Sequence, residues 1–296
     1  MFEGFSEERI ALDSGVTIRA RIGGEGPPLL LLHGYPQTSA CWHKVAPRLV
    51  EAGFRVVASD LRGYGGSDKP ASGADHATYS KRATAADQIE LMAALGHERF
   101  CLAGHDRGGR VGHRLALDHP QVVEKLAVLD IAPTAAMYGM TDKAFATGYY
   151  HWFFLIQPAP FPERLIGADP GYYLRHKLGG LSKGNLDAFT EDALAEYLEA
   201  FRDPACISAT CEDYRAAASI DLEHDKADGG RKVAAPLLAL WGKKGLVHRT
   251  YDVLGLWRQR AENVSGRALD CGHFLPEEAP EETAEALIDF FSGRPA

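Results

Sequence analysis

The stretch GHDRGGR, residues 104–110, has the pattern of a nucleophile elbow with Asp106 at its centre. In such an elbow a strand turns sharply into a helix and presents the central side chain. The surrounding segment RFCLAGHDRGGRVGHRLAL predicts a strand, a tight turn and a helix in that order. A carboxylate is already ionised at neutral pH, so it can displace a leaving group at an sp³ carbon and form an ester. The alternative is that Asp106 only caps the helix, because Asp is a favoured N-cap residue.

Hydrolysis of such an ester needs a base that activates water, and His273 is the candidate. It lies in DCGHFLPEE, after the last predicted strand and before the final helix, where a hydrolase of this chain order carries its histidine. An imidazole titrates near neutral pH and can take a proton from water. The chain has 12 histidines, and a single histidine is more often structural, so its place in the chain is what selects His273.

The histidine in turn needs an acid that orients it, and Asp130 is the candidate. Asp130 ends the apolar run KLAVLD, which follows the helix after the elbow. A charge at the end of a buried strand is costly unless it is paired or functional. The later strand PLLALWG is followed by Lys243, Lys244 and Gly245, so it supplies no carboxylate there. The alternative is that Asp130 is a helix or loop cap.

The segment LLLLHGYPQT predicts the second half of an oxyanion hole. Backbone N–H groups that follow His33 and Gly34 match this arrangement, with Tyr35 as one donor residue and the N–H of Arg107 as the other. A strand-to-helix turn that merely needs glycine and proline explains part of the same pattern, and both can hold.

Arg107 and Arg110 lie three residues apart at the start of the predicted helix and therefore share a face. Either could form a salt bridge with an acidic neighbour. Two guanidinium groups beside a nucleophilic Asp106 are better suited to bind a carboxylate bidentately, and they would keep Asp106 ionised. The predicted substrate is a small carboxylate with a leaving group on its neighbouring carbon.

The elements that must position these residues alternate between strand and helix. Short apolar runs bracketed by turn residues predict buried parallel strands. These runs are 29–32, 54–60, 99–105, 125–131 and 236–242, with helices at 78–96 and 110–120 between them. The predicted fold class is α/β, with a mostly parallel, doubly wound sheet and right-handed crossovers.

The alternation stops near Pro133, and the following residues are rich in aromatic and helix-forming types. We interpret residues 134–225 as an inserted helical cap domain, and residues 1–133 with 226–296 as the core domain. An amphipathic helix at 279–291 is predicted to close the chain.

Composition limits the partners and the compartment. A net charge of −8 argues against nucleic acid and against an anionic membrane surface. The five scattered cysteines suggest neither a disulfide framework nor a zinc site, and they fit the reducing cytoplasm. The N-terminus lacks the basic start and apolar run of a signal peptide. No apolar run reaches the ~18 residues that a membrane span needs.

Taken together, these motifs identify a family resemblance. The chain resembles the fluoroacetate (haloacetate) dehalogenases of the α/β-hydrolase superfamily over nearly its whole length. The segments that carry the resemblance are GHDRGGR, LLLLHGYPQT, LDIAPT, YYHWFFLIQPAPFPE, CEDYRA and CGHFLPEEAP. Epoxide hydrolases and haloalkane dehalogenases also place Asp at the elbow, but they usually follow it with Trp, where this chain has Arg107.

The resemblance implies a role for each residue of the core. Asp106 would attack the halogen-bearing carbon and expel halide. Arg107 and Arg110 would hold the substrate carboxylate. His273, oriented by Asp130, would activate the water that hydrolyses the ester.

The resemblance also implies a halide site formed by His151, Trp152 and Tyr214. Their imidazole N–H, indole N–H and phenol O–H are all donors, although HWFF on its own predicts only the packed core of the cap. Neither a cofactor nor a metal is expected, and the resemblance implies a homodimer.

The sequence therefore predicts a hydrolytic dehalogenase of small 2-haloacids that passes through an ester on Asp106. The alternative is an epoxide hydrolase with the same Asp-His-Asp core, which would use tyrosines to protonate the epoxide oxygen. The tyrosines available for this are Tyr149, Tyr150, Tyr172, Tyr173 and Tyr214. The arginine pair argues against that alternative, because simple epoxides carry no carboxylate. A receptor of the same fold that binds without turnover is a third reading, which an intact triad disfavours.

Overall fold

A single eight-stranded sheet forms the centre of the molecule. The computed structural model describes residues 1–293, so residues 294–296 of the predicted core segment lie outside the described residues. The strands are β1 Ser6–Ala11, β2 Thr17–Gly23, β3 Pro28–Leu32, β4 Arg55–Ser59, β5 Phe100–His105, β6 Val123–Leu129, β7 Leu237–Gly242 and β8 Val264–Leu269. Their order across the sheet is β1-β2-β4-β3-β5-β6-β7-β8.

The strand directions confirm the predicted α/β class. The pairs β1–β2 and β2–β4 are antiparallel, and every pair from β4–β3 through to β7–β8 is parallel. The five predicted apolar runs correspond to β3, β4, β5, β6 and β7, and β5 is buried along its whole length. The edge strand β1 is exposed along almost its whole length, the edge strand β8 alternates in exposure, and both contain charged residues. Neither edge strand therefore carries the apolar run by which the others are recognised.

The helices before and after the middle of the chain cover the sheet. Those of the N-terminal part are α1 Ala46–Glu51, α2 Lys81–Ala94 and α3 Arg107–Asp118, and those of the C-terminal part are α12 Leu246–Thr250, α13 Val253–Arg258, α14 Leu275–Glu278 and α15 Pro280–Ser292. Short 3₁₀ helices lie at Ser39–Trp42, Ala77–Tyr79 and Leu186–Ala188. Helices on a parallel sheet bury its strands on both faces, which is why β3 to β7 are almost wholly apolar.

Eight further helices lie between β6 and β7, and we call them the inserted helices. They are α4 Thr134–Gly139, α5 Lys143–Gly148, α6 His151–Phe154, α7 Phe161–Ala168, α8 Pro170–Leu181, α9 Glu191–Arg202, α10 Pro204–Ala218 and α11 Ile220–Ala227. Proline or an Asp or Thr cap begins several of them, as the sequence pattern indicates. That residues 134–225 form a separate cap domain stays a prediction.

The inserted helices and the sheet share one hydrophobic core. Buried side chains of the strands, such as Leu31 and Leu126, belong to the same contact cluster as Tyr197 and Phe201 of α9. The inserted helices are therefore packed against the residues of the sheet and are not a separate unit joined to it only by a linker. Within residues 1–293, no helix is both long enough and apolar enough to cross a bilayer.

Candidate active site

Asp106 stands on the turn between β5 and α3, in a backbone conformation that few side chains adopt. Its φ is 44° and its ψ is −111°, so an L-residue is held there only under constraint from its surroundings. Glycine lets the strand and helix approach at this turn, because a Cβ on Gly104 would lie 2.4 Å from the carbonyl oxygen of Gly108. Asp106 occupies the N-cap position of α3, but its side chain makes no cap hydrogen bond within the described residues. Simple helix capping therefore does not explain it.

The carboxylate of Asp106 instead faces the loop after β3. The backbone N–H of Tyr35 donates to Asp106 Oδ2 at 3.2 Å. A Cβ on Gly34 would lie 2.5 Å from the Cβ of Asp106, so this approach requires glycine. His33 holds the loop: its Nε2 accepts from the N–H of Leu61 at 3.0 Å, and its Nδ1 therefore carries the proton and donates to the Gly34 carbonyl at 3.0 Å.

Asp130 and His273 form a buried pair beside the elbow. His273 Nδ1 donates to Asp130 Oδ2 at 2.5 Å, and the backbone N–H of Gly242, at the end of β7, donates to Asp130 Oδ1 at 2.9 Å. Asp130 follows β6 directly and has a φ of 51°. Both carboxylate oxygens thus have partners from other elements, and Nε2 of His273 is left as the ring nitrogen that can act on water.

The charges at the site oppose the effects of burial. Burial alone would lower the pKa of His273, but the hydrogen bond and charge of Asp130 and the charge of Asp106 outweigh it, and the pKa is raised. Burial would raise the pKa of Asp106, but the positive charges of His273, Arg110 and Arg107 outweigh it, and the pKa is lowered. Asp106 is consequently a carboxylate at neutral pH.

His105, which the sequence analysis did not select, supports the other histidine. Its Nε2 donates to the backbone carbonyl of His273 at 2.8 Å, and the two rings lie 4.7 Å apart. Burial, followed by the charge of His273, lowers the pKa of His105 to about 3, so it stays neutral. The residue before Asp106 therefore helps to place His273. Its position next to Asp106 at the end of a buried strand is the only signal that could have identified it.

Arg107 is fully buried and already bound to a carboxylate. Its Nε donates to Asp213 Oδ2 at 2.7 Å, its Nη2 donates to Oδ1 of the same residue at 2.9 Å, and its guanidinium lies 4.2 Å from the ring centre of Tyr214. Lys81 also forms a salt bridge with Asp213. Only Nη1 of Arg107 is buried without a partner in the described part of the chain. The sequence analysis does not predict Asp213, which lies in the segment CEDYRA. A buried arginine needs such a carboxylate as its partner.

Arg110 has a different environment. Its Nη1 donates to the carbonyl of Ala132 at 3.1 Å and to the hydroxyl of Thr134 at 2.9 Å, and its Nη2 lies 3.3 Å from the sulfur of Met137. Its guanidinium is 4.7 Å from the ring centre of Trp152. Its Nε is buried and has no hydrogen-bond partner among residues 1–293. The positive charge of Arg110 therefore rests on neutral acceptors, unlike that of Arg107.

The three residues predicted to bind halide lie together on the inserted helices. The ring of Tyr214 is 5.6 Å from that of His151 and 6.3 Å from that of Trp152, measured between ring centres. Tyr149 lies beside them, 5.4 Å from His151 and 6.2 Å from His273. The hydroxyls of Tyr149 and Tyr214 are both buried, and the described residues offer neither of them a partner.

Tyr35 joins the two halves of the site. Its ring stacks on His151 at 5.8 Å with an interplanar angle of 11°, and meets Tyr214 edge-on at 5.3 Å. Its hydroxyl donates to that of Tyr173 at 2.9 Å. The same residue that gives Asp106 a backbone N–H therefore packs against the predicted halide site. The structure thus brings all the predicted core and cap residues into one buried cluster.

Comparison with known proteins agrees with this architecture. Residues 27–280 match the family model described as the alpha/beta hydrolase fold. A fluoroacetate dehalogenase from Burkholderia sp. is 50% identical over 293 residues, which cover 99% of this chain and 95% of that protein. A soluble epoxide hydrolase from Corynebacterium sp. (strain C12) is 35% identical, over 95% of this chain and 96% of that protein. A crystal structure of an alpha/beta-hydrolase-type protein from Nostoc sp PCC 7120 superposes with a TM-score of 0.97 at 58% identity, covering 99% of each chain.

Proposed function

The chain belongs to the alpha/beta hydrolase fold family, and from that premise we propose that it hydrolyses small 2-haloacids, such as fluoroacetate and chloroacetate, to glycolate and halide. One observation carries the proposal. An ionised carboxylate on the elbow, Asp106, is surrounded by buried N–H and O–H donors that have no partner among the described residues. Buried donors are normally satisfied, so such a group is expected to face an anion or a polar ligand in the working enzyme.

The arginines support a carboxylate as one end of that ligand. Two guanidinium nitrogens in residues 1–293 are buried without a partner: Arg110 Nε and Arg107 Nη1. Both belong to arginines whose charge lowers the pKa of Asp106. Because Arg107 is already paired with Asp213, Arg110, which hydrogen-bonds only neutral acceptors, is the guanidinium left to pair with a substrate carboxylate. In the proposed complex Arg110 is the main carboxylate contact, and Arg107 adds one N–H.

The first chemical step is a displacement at carbon. An oxygen of Asp106 forms a bond to the carbon next to the substrate carboxylate, and the carbon–halogen bond breaks with its electron pair leaving on the halide. Donors on His151, Trp152 and Tyr214 stabilise the developing halide charge in a site that water does not screen. Fluoride is a poor leaving group, so it depends on these donors more than the other halides do.

The second step hydrolyses the ester on Asp106. His273 takes a proton from water through Nε2, and the hydroxide attacks the ester carbonyl carbon. The backbone N–H of Tyr35, already 3.2 Å from Oδ2, stabilises the oxyanion that forms. Collapse breaks the bond between Cγ of Asp106 and the glycolate oxygen, His273 gives its proton to that oxygen, and the new carboxyl of Asp106 loses its proton to solvent and is again a carboxylate.

A second candidate is an epoxide hydrolase, which the Corynebacterium relative and the tyrosines favour. Tyr149 and Tyr214 have buried, unpartnered hydroxyls in the described structure and could protonate an epoxide oxygen. Tyr173 is engaged with Tyr35, and Tyr172 is 70% exposed, so neither suits that role. Arg110 favours the haloacid, because its guanidinium hydrogen-bonds only neutral acceptors and a haloacid would supply the carboxylate that a simple epoxide lacks. Assembly as a homodimer and a place in the cytoplasm remain predictions from the sequence.

Halide release separates the two candidates. The purified protein would be given fluoroacetate, chloroacetate and bromoacetate with an ion-selective electrode as detector, and styrene oxide with diol formation as the readout. The haloacid proposal expects halide and glycolate in equal amounts and little diol. Diol without halide would transfer the function to the epoxide hydrolase.

A single turnover in ¹⁸O-labelled water tests the ester intermediate. With enzyme in excess, the first glycolate should carry an unlabelled oxygen from Asp106, and the label should enter the Asp106 carboxylate. Label in the first glycolate would mean that water attacks the substrate carbon directly.

A further inference from the structure

Lys177, on α8, is a buried lysine that the two proposed steps do not use. It is only 3% exposed, and its Nζ lies 3.0 Å from Nδ1 of His151. Its ammonium also lies 4.2 Å from the ring centre of Tyr150. Burial alone lowers the pKa of Lys177 to about 7, and no carboxylate contributes to its environment within the described residues. A lysine buried without a counter-ion is costly, so it calls for a reason beyond packing.

The contact fixes where the proton of His151 lies. Below its pKa of about 7, Lys177 is mostly an ammonium, which has three N–H bonds and no lone pair, so in that form Lys177 donates and Nδ1 accepts. Burial, followed by the charges of Lys177, His273 and the arginines, lowers the pKa of His151 well below its ordinary value, so the ring is neutral. A neutral imidazole whose Nδ1 accepts carries its single proton on Nε2. Stacking on Tyr35 and edge contact with Tyr214 hold the plane of the ring.

We propose that Lys177 is a positioning residue for the leaving group, which holds His151 in the Nε2–H tautomer and strengthens that N–H as a donor to the departing halide. The inference rests on the proposed dehalogenase function. Without Lys177 the ring could also take the Nδ1–H tautomer, whose Nε2 would present a lone pair to the halide. A hydrogen bond at Nδ1 from a cation also polarises the ring and makes its N–H a stronger donor.

The choice of halide reveals this role. Fluoride concentrates its charge most and gains most from a strong donor, whereas bromide leaves readily without one. In Lys177→Met we expect kcat for fluoroacetate to fall about tenfold more than kcat for bromoacetate, by analogy with the loss of one aimed donor in a buried site. KM should change little for either substrate, because the proposed carboxylate contacts belong to Arg107 and Arg110.

Two comparisons separate positioning from simple destabilisation. Lys125→Met removes another partly buried lysine, bonded to the carbonyls of Phe290 and Phe291 far along β6 from Asp130. It should alter both substrates by the same small factor. In a His151→Phe background, Lys177→Met should leave the fluoride-to-bromide ratio unchanged, because Lys177 acts only through that ring. A ratio unchanged in Lys177→Met itself, or changed equally in the His151→Phe background, overturns the inference.

A measurement on the unmodified protein does not depend on how the variant folds. The ¹⁵N spectrum of the imidazole groups, recorded below the Lys177 pKa of about 7 and with His151 assigned from the His151→Phe variant, should show Nε2 protonated and Nδ1 unprotonated. Protonation at Nδ1 would refute the inference even if halide is released normally. If the unmodified protein releases no halide from any haloacid, the proposed function fails instead, and the tautomer measurement still stands on its own.

Discussion

The two halves of the site differ in how completely their polar groups are satisfied. On the sheet side, Asp106 and Asp130 directly follow the buried strands β5 and β6, and His273 lies in the loop after the edge strand β8. Each is held by hydrogen bonds from neighbouring residues. On the side of the inserted helices, the hydroxyls of Tyr149 and Tyr214 are buried, and residues 1–293 supply no partner for them. Asp106, Asp130 and His273 therefore have hydrogen-bond partners without a ligand, whereas the hydroxyls of Tyr149 and Tyr214 would gain partners from a bound anion or polar group.

In the proposed reaction, the residues of the sheet side and those of the inserted helices have different tasks. Groups that are preorganised by the fold perform chemistry that is the same for every substrate. Donors without a protein partner stabilise the negative charge that develops on the departing halide, and the size of this effect depends on which halide leaves. Variants of the sheet side should therefore affect all haloacids alike, and variants of the inserted side should distinguish between halides.

Removal of the nucleophile has the largest expected effect. Asp106→Ala should lower halide release from every haloacid by about 10⁴-fold or more, because no other carboxylate takes its place on the elbow. The measurement is steady-state halide release with fluoroacetate and bromoacetate, alongside a melting curve as a check on folding. If a folded variant still released halide from bromoacetate, Asp106 would not be the nucleophile.

Removal of the base should split the two steps. His273→Ala should still release one halide per site and then stop, since the displacement needs only Asp106, and should retain an ester detectable as an added mass on the peptide that contains residue 106. Steady-state turnover should fall by about 10³-fold or more. Release of halide without an adduct would argue against the ester.

The sequence predicts the sheet side better than the inserted side, for a physical reason. Strands β3 to β7 are buried on both faces, so each gives an apolar run, and a polar residue directly after such a run is conspicuous. Asp130 is recognised in this way, whereas Asp106 is recognised by the glycine pattern of the elbow. Both have positive φ angles, which strand propensities do not predict, and only Asp106 lies in a glycine-rich turn.

The inserted helices give no such signal. Lys177 lies in YYLRHKLGG, where a lysine is expected to face solvent, yet it is buried against His151. Asp213 lies in a helix that would be assigned a solvated acidic face, yet it binds Arg107. Which face of a short helix is buried depends on packing between elements distant in sequence, so residue type and spacing alone do not reveal these partners. The assignment of His151, Trp152 and Tyr214 likewise depended on family resemblance.

Arg110 tests which property better predicts the effect of a variant: the part of the fold in which the residue lies, or whether its polar atoms have hydrogen-bond partners. It lies on α3, on the sheet side, but its Nε lacks a partner in the described chain, as the tyrosine hydroxyls do. Arg110→Ala should raise KM for all haloacids by about 10–100-fold, the size expected for losing a charged hydrogen bond to a carboxylate. Initial rates over a range of chloroacetate concentrations would measure it. An unchanged KM would remove Arg110 from the substrate site.

Tyr214 provides the corresponding test on the inserted helices. Tyr214→Phe removes a buried, unpartnered hydroxyl and keeps the ring that packs on Arg107 and Tyr35. We expect kcat for fluoroacetate to fall about tenfold and kcat for bromoacetate to change by less than about threefold. Equal losses for both halides would place the hydroxyl outside the halide site. If diol formation from an epoxide were the activity lost, the second candidate function would gain instead.

The smallest expected effect concerns how the charge of Asp106 acts on His273, within the sheet side, during turnover. In the resting enzyme Asp130 and the negative charge of Asp106 hold the pKa of His273 above its ordinary 6.5, so the base form is lost as the pH falls through that raised value. Formation of the ester removes the Asp106 charge, and the pKa of His273 should then fall, which makes the base available for hydrolysis. Asp106→Asn reproduces that neutral state, and an NMR titration of His273 should show a lower midpoint in this variant than in the unmodified protein. Equal midpoints would mean that Asp106 does not influence the base. In that case the acid limb of kcat, along which the rate falls about tenfold per pH unit, would reflect a His273 pKa that Asp130 raises without help from Asp106.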